Sequence, residues 1–346
     1  MVEARYNDRP LLMKEWERAI EVKRTADRRT NTVRITGQHS KAWRSSSPPD
    51  IEARRLSRQR IAPQRSGNRT PGFRPEHLDL QLFPKALDDR LDVEQGFVAH
   101  LQELDKRASL PSGIFSGDDR YTFSDTAFPW CTCGKVETET GWGSGVMIGP
   151  RHLLTASHVV AWKPGSTCGW IKFTPLKFDT SEPFGVAWAT RVYCWNKTDG
   201  GGGSDMADDA LDYVVCVLDT PIGDRTGWMG SRGYDPAWDG DDYWGHISYP
   251  GDLAGGTRPS FIGYRSFLDA GTASVLARGS CRLGQEADAI PGLSGGPYFG
   301  WWPSEPWPRV VGVQSGIDLG STGGANTCGG GGLLSELIDH VRAQEP

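Results

Sequence analysis

Residues 142–160 read WGSGVMIGPRHLLTASHVV, which is two short apolar runs separated by a Gly-Pro pair. Short apolar runs broken by glycine, proline and polar residues are typical of β-strands joined by tight turns. The same texture recurs from about residue 113 onward, for example in LDYVVCVL and RVVGVQSG. The sequence therefore predicts an all-β fold with many short strands, arranged as a barrel or a sandwich.

The last residues follow a different pattern. In GLLSELIDHVRA, which begins at Gly332, the apolar residues Leu333, Leu337, Ile338 and Val341 recur at helical spacing. This spacing predicts one C-terminal amphipathic helix that packs against the β-strands.

Composition excludes two classes of protein. The chain has 346 residues, of which 37% are hydrophobic, and it contains 14 Trp, 12 Phe and 9 Tyr. So many aromatic side chains need a core, which excludes a fully disordered chain. No apolar run reaches the roughly 18 uncharged residues that a membrane-spanning helix needs, which excludes a transmembrane bundle.

Charge is divided unevenly along the chain. Residues 1–112 contain 22 Lys/Arg against 16 Asp/Glu, whereas residues 113–346 contain 16 against 27. Residues 26–75 are polar and rich in Arg, Ser and Pro, so we expect disorder there, between short amphipathic helices near residues 11–20 and 86–106. We therefore predict a basic, largely disordered N-terminal extension or pro-region over residues 1–112, followed by a folded domain over residues 113–346.

The basic extension permits several interpretations. A basic segment can bind nucleic-acid phosphates without sequence preference, but here acidic residues are interspersed and no row of aromatic side chains accompanies the arginines. Lys106-Arg107 is either a dibasic site for a processing protease or two ordinary surface charges. The first 24 residues are charged every few positions and lack the apolar core of a signal peptide.

The seven cysteines do not indicate a metal site. Cys131 and Cys133 are separated by one residue, which is too close for a usual zinc site, and no second pair follows at zinc-binding spacing. Two interpretations stay open: three disulfides with one free thiol, as in an exported protein, or seven free thiols.

Nucleophilic catalysis by a serine needs a hydroxyl, an imidazole base, a carboxylate that orients the imidazole, and backbone N–H groups for the oxyanion. In PGLSGGP, residues 291–297, glycines on both sides of Ser294 permit a tight turn. Such a turn could aim the N–H groups of Gly292 and Ser294 into one pocket. Ser294 is therefore the candidate nucleophile, and a plain glycine-rich turn is the structural alternative.

The candidate base and acid lie in two apolar runs. His158 ends the run LLTASH, whereas His152 stands in a predicted turn and is the weaker candidate. Asp212 opens the run DYVVCVL, where a buried carboxylate is costly unless a group such as an imidazole pairs with it. Asp208 and Asp209 lie in the preceding loop and are weaker candidates.

The order His158, Asp212, Ser294, within the strings TASH, DYVV and GLSGGP, resembles the trypsin/chymotrypsin-like serine proteases, and more closely their glutamyl-endopeptidase-like branch. Further strings that resemble this branch are GDDR at residues 117–120, WGSGVMIGP at residues 142–150 and ISYPGD at residues 247–252. Together the motifs cover about residues 115–340.

The resemblance implies a double six-stranded β-barrel with the site in the cleft between the barrels and a helix at the C-terminal end. It implies Ser294 as nucleophile, His158 as general base and then general acid, and Asp212 as the group that orients His158. The N–H groups of Gly292 and Ser294 would form the oxyanion hole, and no metal or cofactor is required. We further expect a monomer that acts on protein or peptide substrates outside the cell.

The sequence departs from the family just before the serine. Leu293 stands where trypsin-type enzymes have an Asp that captures the new N-terminal amine on activation. Leucine cannot form that ion pair, so activation of a zymogen by this route is not expected.

Other departures concern candidate substrate contacts. Gln314 stands where Glu-specific members have a His, which disfavours a preference for Glu. Asp288, six residues before the serine, could pair with an Arg or Lys of the substrate or be a surface residue. Ser315 and Gly316 are candidates for pairing with the substrate backbone as an edge strand.

These residues favour a serine endopeptidase that works through an acyl-enzyme intermediate. The alternative is a catalytically inactive relative that serves as a binding module. A nucleic-acid-binding protein is disfavoured, because residues 113–346 carry a net charge of −11.

Overall fold

The computed structural model describes residues 8–16, 50–57, 69–87, 120–198, 209–265, 267–269, 280–285, 292–317 and 326–346. Within these residues the strands are β1 (Ile51–Arg55), β2 (Arg69–Thr70), β3 (Tyr121–Thr122), β4 (Cys133–Thr138), β5 (Gly141–Gly149), β6 (His152–Thr155), β7 (Thr167–Cys168), β8 (Ile171–Pro175), β9 (Ala187–Cys194), β10 (Val214–Leu218), β11 (Gly230–Arg232), β12 (Trp244–Ser248), β13 (Ser260–Arg265), β14 (Phe267–Asp269), β15 (Ser280–Gln285), β16 (Pro297–Gly300), β17 (Arg309–Ile317) and β18 (Asn326–Gly331). The α-helices are α1 (Gly223–Thr226) and α2 (Gly332–Gln344). This content confirms the all-β prediction.

The first sheet closes into a barrel. Its six barrel strands pair in the order β4-β5-β6-β10-β9-β8, and β8 pairs back with β4. The core inside this barrel includes β-branched and aromatic residues, which suit a pleated, half-buried surface: Val136, Ile171, Phe173, Val192 and Val214. Two short strands, β1 and β7, extend this sheet beyond the six.

The second sheet is larger than the six strands that the family resemblance implies. Eight strands follow the order β14-β15-β18-β17-β16-β12-β13-β3, and β11 joins β17 to β2. A large core lies between the sheets and includes side chains from both, among them Val146, Leu154 and Val215 from the first and Phe299 and Val313 from the second.

Helix α2 confirms the predicted C-terminal helix. Leu333, Leu334, Leu337, Ile338 and Val341 are buried in the same large core. The apolar stripe therefore packs against the β body, as its spacing indicates.

Several predictions for the N-terminal extension need correction. Disorder over residues 26–75 is wrong for residues 51–55 and 69–70, which form β1 and β2 because strands from far along the chain pair with them. Near residues 11–20 the structure has a 3₁₀ turn over Met13–Glu15. Ala86 pairs with Phe123 and is extended rather than helical, and residues 88–106 lie outside the described part.

Candidate active site

His158 lies in a 3₁₀ turn, Ser157–Val159, directly after β6 ends at Thr155. The Ser157 hydroxyl holds this turn in place, because it donates to the Asn196 carbonyl at 3.2 Å and accepts from the Thr198 N–H at 3.0 Å. The imidazole is therefore presented from a fixed turn rather than from a free loop.

Asp212 lies two residues before β10 begins. In the antiparallel pair of β6 and β10, Thr155 stands opposite Val214. Residues just after β6 and just before β10 must therefore meet at the same end of the barrel. The register of these two strands brings His158 and Asp212 together, although they are 54 positions apart.

The carboxylate of Asp212 is buried, and three donors satisfy it. His158 Nδ1 lies 2.5 Å from Asp212 Oδ2, and the backbone N–H of His158 donates to Oδ1 at 2.9 Å. The hydroxyl of Ser315 donates to Oδ2 at 2.6 Å. Three charge-assisted hydrogen bonds offset much of the cost of burying this charge.

This arrangement fixes the tautomer of the imidazole. An ionised carboxylate only accepts hydrogen bonds. The proton is therefore on Nδ1, which donates a hydrogen bond to Asp212. In the neutral ring, Nε2 then has a free lone pair and can take a proton. His158 is thus held in the form that a general base needs.

The pKa of His158 is raised above its ordinary value of 6.5. Burial of the ring lowers the pKa, but the negative charge of Asp212 and its hydrogen bond to the ring raise it by more, with a further contribution from Asp209. Asp212 therefore stabilises the imidazolium that a proton transfer to His158 would create.

Ser294 lies in a tight turn before β16. The flanking glycines have positive φ, +101° at Gly292 and +81° at Gly295, which is the region that glycine adopts without steric cost. A Cβ on Gly295 would lie 2.3 Å from Thr155 Oγ1 and 2.7 Å from the Ala156 nitrogen. The serine turn therefore packs directly against the end of β6 from which the His158 turn continues.

Strand β5 anchors the serine turn from the first barrel. The backbone N–H of Ser144 donates to the Ser294 carbonyl at 2.8 Å, and the Ser144 hydroxyl donates to the Gly292 carbonyl at 2.8 Å. Within the described part of the chain, no group accepts a hydrogen bond from the N–H of Gly292 or of Ser294. These two N–H groups are the donors that the sequence assigns to an oxyanion hole.

The site thus lies between the two sheets. Ser315 of β17, in the second sheet, contacts Asp212 of the first barrel, and Ser144 of the first barrel holds the turn before β16. Sequence reasoning missed both contacts. Ser315 was a candidate only for its backbone, and nothing in the local pattern indicates where its hydroxyl points.

The other predicted site residues have different positions. The side chain of Gln314 is buried, accepts from the Tyr298 hydroxyl at 2.9 Å, and donates to the carbonyls of Gly316 and Thr327 at 3.0 and 3.2 Å. These contacts hold the amide within the second sheet. Asp288 and Asp208 lie outside the described residues, so the pairing of Asp288 with a basic substrate stays a prediction.

His152, the weaker histidine candidate, is separated from the site by the length of β6. Its Nε2 lies 3.0 Å from the carbonyl of Glu345, beyond α2. Burial lowers the pKa of His152 to about 4, so this imidazole is neutral and structural at neutral pH.

A buried ion pair supports the loop beside the serine turn. Arg120 Nη2 lies 2.5 Å from Asp252 Oδ2, with the Arg120 side chain 1% exposed. The adjacent Gly251 nitrogen and the Tyr249 carbonyl border Gly292, where a Cβ would lie 3.2 and 2.3 Å from them. The pair therefore ties residue 120 to the loop on which the Gly292 turn rests.

Five of the described cysteines have no disulfide. Cys131, Cys133, Cys168, Cys194 and Cys216 are buried free thiols. The interpretation with three disulfides is therefore wrong, since only two of the seven cysteines remain.

Among the residues that the structure describes, no cluster of His, Cys, Asp and Glu could hold a metal ion. No helix in the same residues is long and apolar enough to cross a membrane.

Parts of the chain are similar in sequence to two known Bacillus proteases. The chain is 26% identical to the glutamyl endopeptidase of Bacillus licheniformis over 197 residues. This match covers 55% of each of the two chains. It is 27% identical over 139 residues to the extracellular metalloprotease of Bacillus subtilis, which is 38% of this chain and 43% of that protein. Each match spans only about half the length of the relative. No protein-family model matches the chain.

A solved structure of a Glu endopeptidase in complex with MPD superposes with a TM-score of 0.54 at 19% identity, covering 67% of this chain and 100% of that one. The chain therefore has the trypsin-like serine protease fold. The predicted resemblance to the glutamyl-endopeptidase branch is confirmed.

Proposed function

We propose that the protein is a serine endopeptidase that hydrolyses peptide bonds through Ser294, His158 and Asp212. The hydrogen-bonded pair of His158 and Asp212 carries this proposal. Ser315 donates a further hydrogen bond to Asp212 from the opposite sheet, and the serine turn packs against the end of β6, next to His158. The buried carboxylate of Asp212 accepts three hydrogen bonds, and two of them hold His158 in a fixed orientation. A fixed imidazole of this kind can transfer protons.

The chemistry runs in two stages. Ser294 Oγ attacks the substrate carbonyl carbon while its proton passes to His158 Nε2, and the N–H groups of Gly292 and Ser294 stabilise the oxyanion. His158 then gives this proton to the leaving amine, and the C–N bond breaks to leave an acyl-enzyme. Water attacks the ester with His158 again as base, which releases the acid and restores the serine.

Burst kinetics with a nitrophenyl ester test the acyl-enzyme. We expect nitrophenol release close to one equivalent per chain before the steady state, and none from Ser294→Ala. Ser181→Ala, at an exposed serine after β8, should keep the burst. A folded wild-type chain without a burst or peptide cleavage would instead support the inactive binding module.

Substrate preference is tested with short peptides that have Arg, Glu or Phe before the scissile bond. The neutral, internally bonded amide of Gln314 supports weak cleavage after Glu. Cleavage after Arg that is lost in Asp288→Ala would support the pairing of Asp288 with a basic side chain, and equal rates for all peptides would exclude it.

The name of the Bacillus subtilis relative supports an extracellular site of action.

A further inference from the structure

The described segments that precede residue 88 are built into both sheets. They are residues 8–16, 50–57 and 69–87, and they all belong to the extension that the sequence separates from the folded domain. A pro-region that is removed on maturation would have to leave without exposing the core, and the contacts of these segments argue against this.

Strand β1 fills a gap in the first barrel. β8 and β9 pair only at Lys172 with Trp188 and Phe173 with Ala187. Beyond that point β1 takes the place of β8, and its residues 52–55 pair in parallel with residues 191–194 of β9. The other edge of β1 pairs with β7. Without β1, both β9 and β7 would present unpaired edges.

The side chains of the extension complete the cores. Ile51 and Ala53 are buried in the core of the first barrel. Trp16 is 0% exposed and stacks with Phe83 at 5.6 Å between ring centroids, and it also contacts Phe299 of β16 at 5.9 Å. Loss of the extension would therefore expose apolar surface of both sheets to water.

A buried charge also depends on the extension. The guanidinium of Arg232 is 2% exposed and lies between Trp238 and Trp302, 5.2 and 4.7 Å from their ring centroids. Asp8 contacts this guanidinium and also pairs with Arg69 at 3.0 Å. Removal of Asp8 would leave Arg232 buried without this carboxylate, which is strongly unfavourable.

We propose that the three segments are a permanent part of the folded protein. A cut at Lys106-Arg107, which lies outside the described residues, then produces a two-chain protein and does not release a pro-region. The N-terminal fragment stays bound through β1, β2 and the aromatic contacts of residues 8–16.

The test uses the full chain with a recognition sequence for a site-specific protease inserted between Asp105 and Lys106. After complete cutting, verified on a denaturing gel, we expect both fragments to elute together in native size-exclusion chromatography at the volume of the uncut chain. Elution of the N-terminal fragment alone, with the other fragment still folded, would overturn the proposal.

A matched pair of variants links the result to β1. Ala53 is buried and its N–H donates to the Ser166 carbonyl at 2.9 Å, whereas Arg54 on the same strand is exposed. In the cut protein, Ala53→Asn should release the N-terminal fragment at a lower urea concentration than Arg54→Asn. Equal release by the two variants would contradict the role of β1.

A second measurement decides the question even if the inserted recognition sequence is not cut. Hydrogen–deuterium exchange of the uncut wild-type chain should show the amides of residues 51–55 protected to the same extent as those of β9. Rapid exchange of these amides in the folded chain would overturn the proposal. Neither readout depends on peptidase activity, so failure here is distinguishable from failure of the proposed function.

Discussion

At the scale of single residues, the site depends on a buried carboxylate. The sequence predicts the pairing of Asp212 with His158, since an acidic residue opening an apolar strand needs a partner. It does not predict the Ser315 hydroxyl, because that contact joins Asp212, just before β10, to a strand of the other sheet 103 positions away. The chemistry of a residue can be read from its type, whereas the direction of its side chain requires the folded register.

Asp212→Asn should lower kcat by about 10⁴-fold, because an amide cannot both fix the tautomer and stabilise the imidazolium. Steady-state kinetics on a cleaved peptide measure this change, and KM should change much less. Asp209→Asn is the matched control, since Asp209 adds negative charge near His158 without a direct hydrogen bond to it. Equal losses in the two variants would mean that charge alone matters.

The raised pKa of His158 sets the pH dependence. The base works only when neutral, so activity rises as the pH passes upward through this pKa. Because Asp212 raises the pKa above 6.5 despite burial, the acid limb of kcat/KM should lie above pH 6.5. In Asp212→Asn, burial is the main remaining effect, and NMR titration of the imidazole should give a pKa below 6.5. An unchanged titration in the variant would contradict this coupling.

At the scale of elements, two structures support the serine: the glycine turn and the loop beside it. The sequence predicts the turn, because glycines flank Ser294. It cannot predict what the turn packs against. Thr155 and Ala156 of the first barrel border Gly295, and Tyr249 and Gly251 of the second sheet border Gly292.

Gly295→Ala should abolish activity and destabilise the fold well beyond Gly240→Ala. Both glycines have positive φ, +81° and +86°, so both variants carry the cost of about 1–2 kcal/mol for alanine in that region. Only at Gly295 does the new Cβ collide with other atoms, whereas nothing lies within 4 Å at Gly240. Urea unfolding and peptide cleavage compare the two, and similar behaviour would show that the turn is not tightly packed.

Arg120→Met should cost about 3 kcal/mol of unfolding free energy and reduce kcat, because it leaves Asp252 without its ion-pair partner beside the Gly292 turn. Arg54→Met is the control: Arg54 and Glu52 form an exposed pair, with side chains 45% and 49% exposed, and the loss of such a pair should change stability far less. Chemical denaturation and kcat are the measurements. A stable Arg120→Met with normal kcat would contradict a supporting role for the ion pair.

At the scale of the whole molecule, the sequence predicts the all-β body and the terminal helix, because many short runs repeat the same signals. It does not predict β1, β2 or the packing of Trp16 in the extension. There the decisive contacts are single anchors such as Trp16 and a five-residue strand whose partners lie more than a hundred positions away. The average composition of residues 1–112 is polar and basic, so a single buried Trp or a five-residue strand does not stand out in it.

Trp16→Ala should lower the unfolding free energy by about 3–5 kcal/mol, the usual cost of truncating a buried Trp. Phe73→Ala, at a side chain 41% exposed and tilted against the Trp228 ring, should cost about 1 kcal/mol. Thermal or urea unfolding of the full chain separates the two. Equal small effects would mean that residues 8–16 contribute little to the core.

Labelling with diisopropyl fluorophosphate asks most directly whether Ser294, His158 and Asp212 act as one unit. Mass spectrometry of the digested protein should find one phosphoryl group per chain on the peptide that contains Ser294. The label should be absent from Ser294→Ala and form far more slowly in His158→Ala. A folded wild-type chain that takes up no label, or takes it up at another residue, would contradict the proposed mechanism.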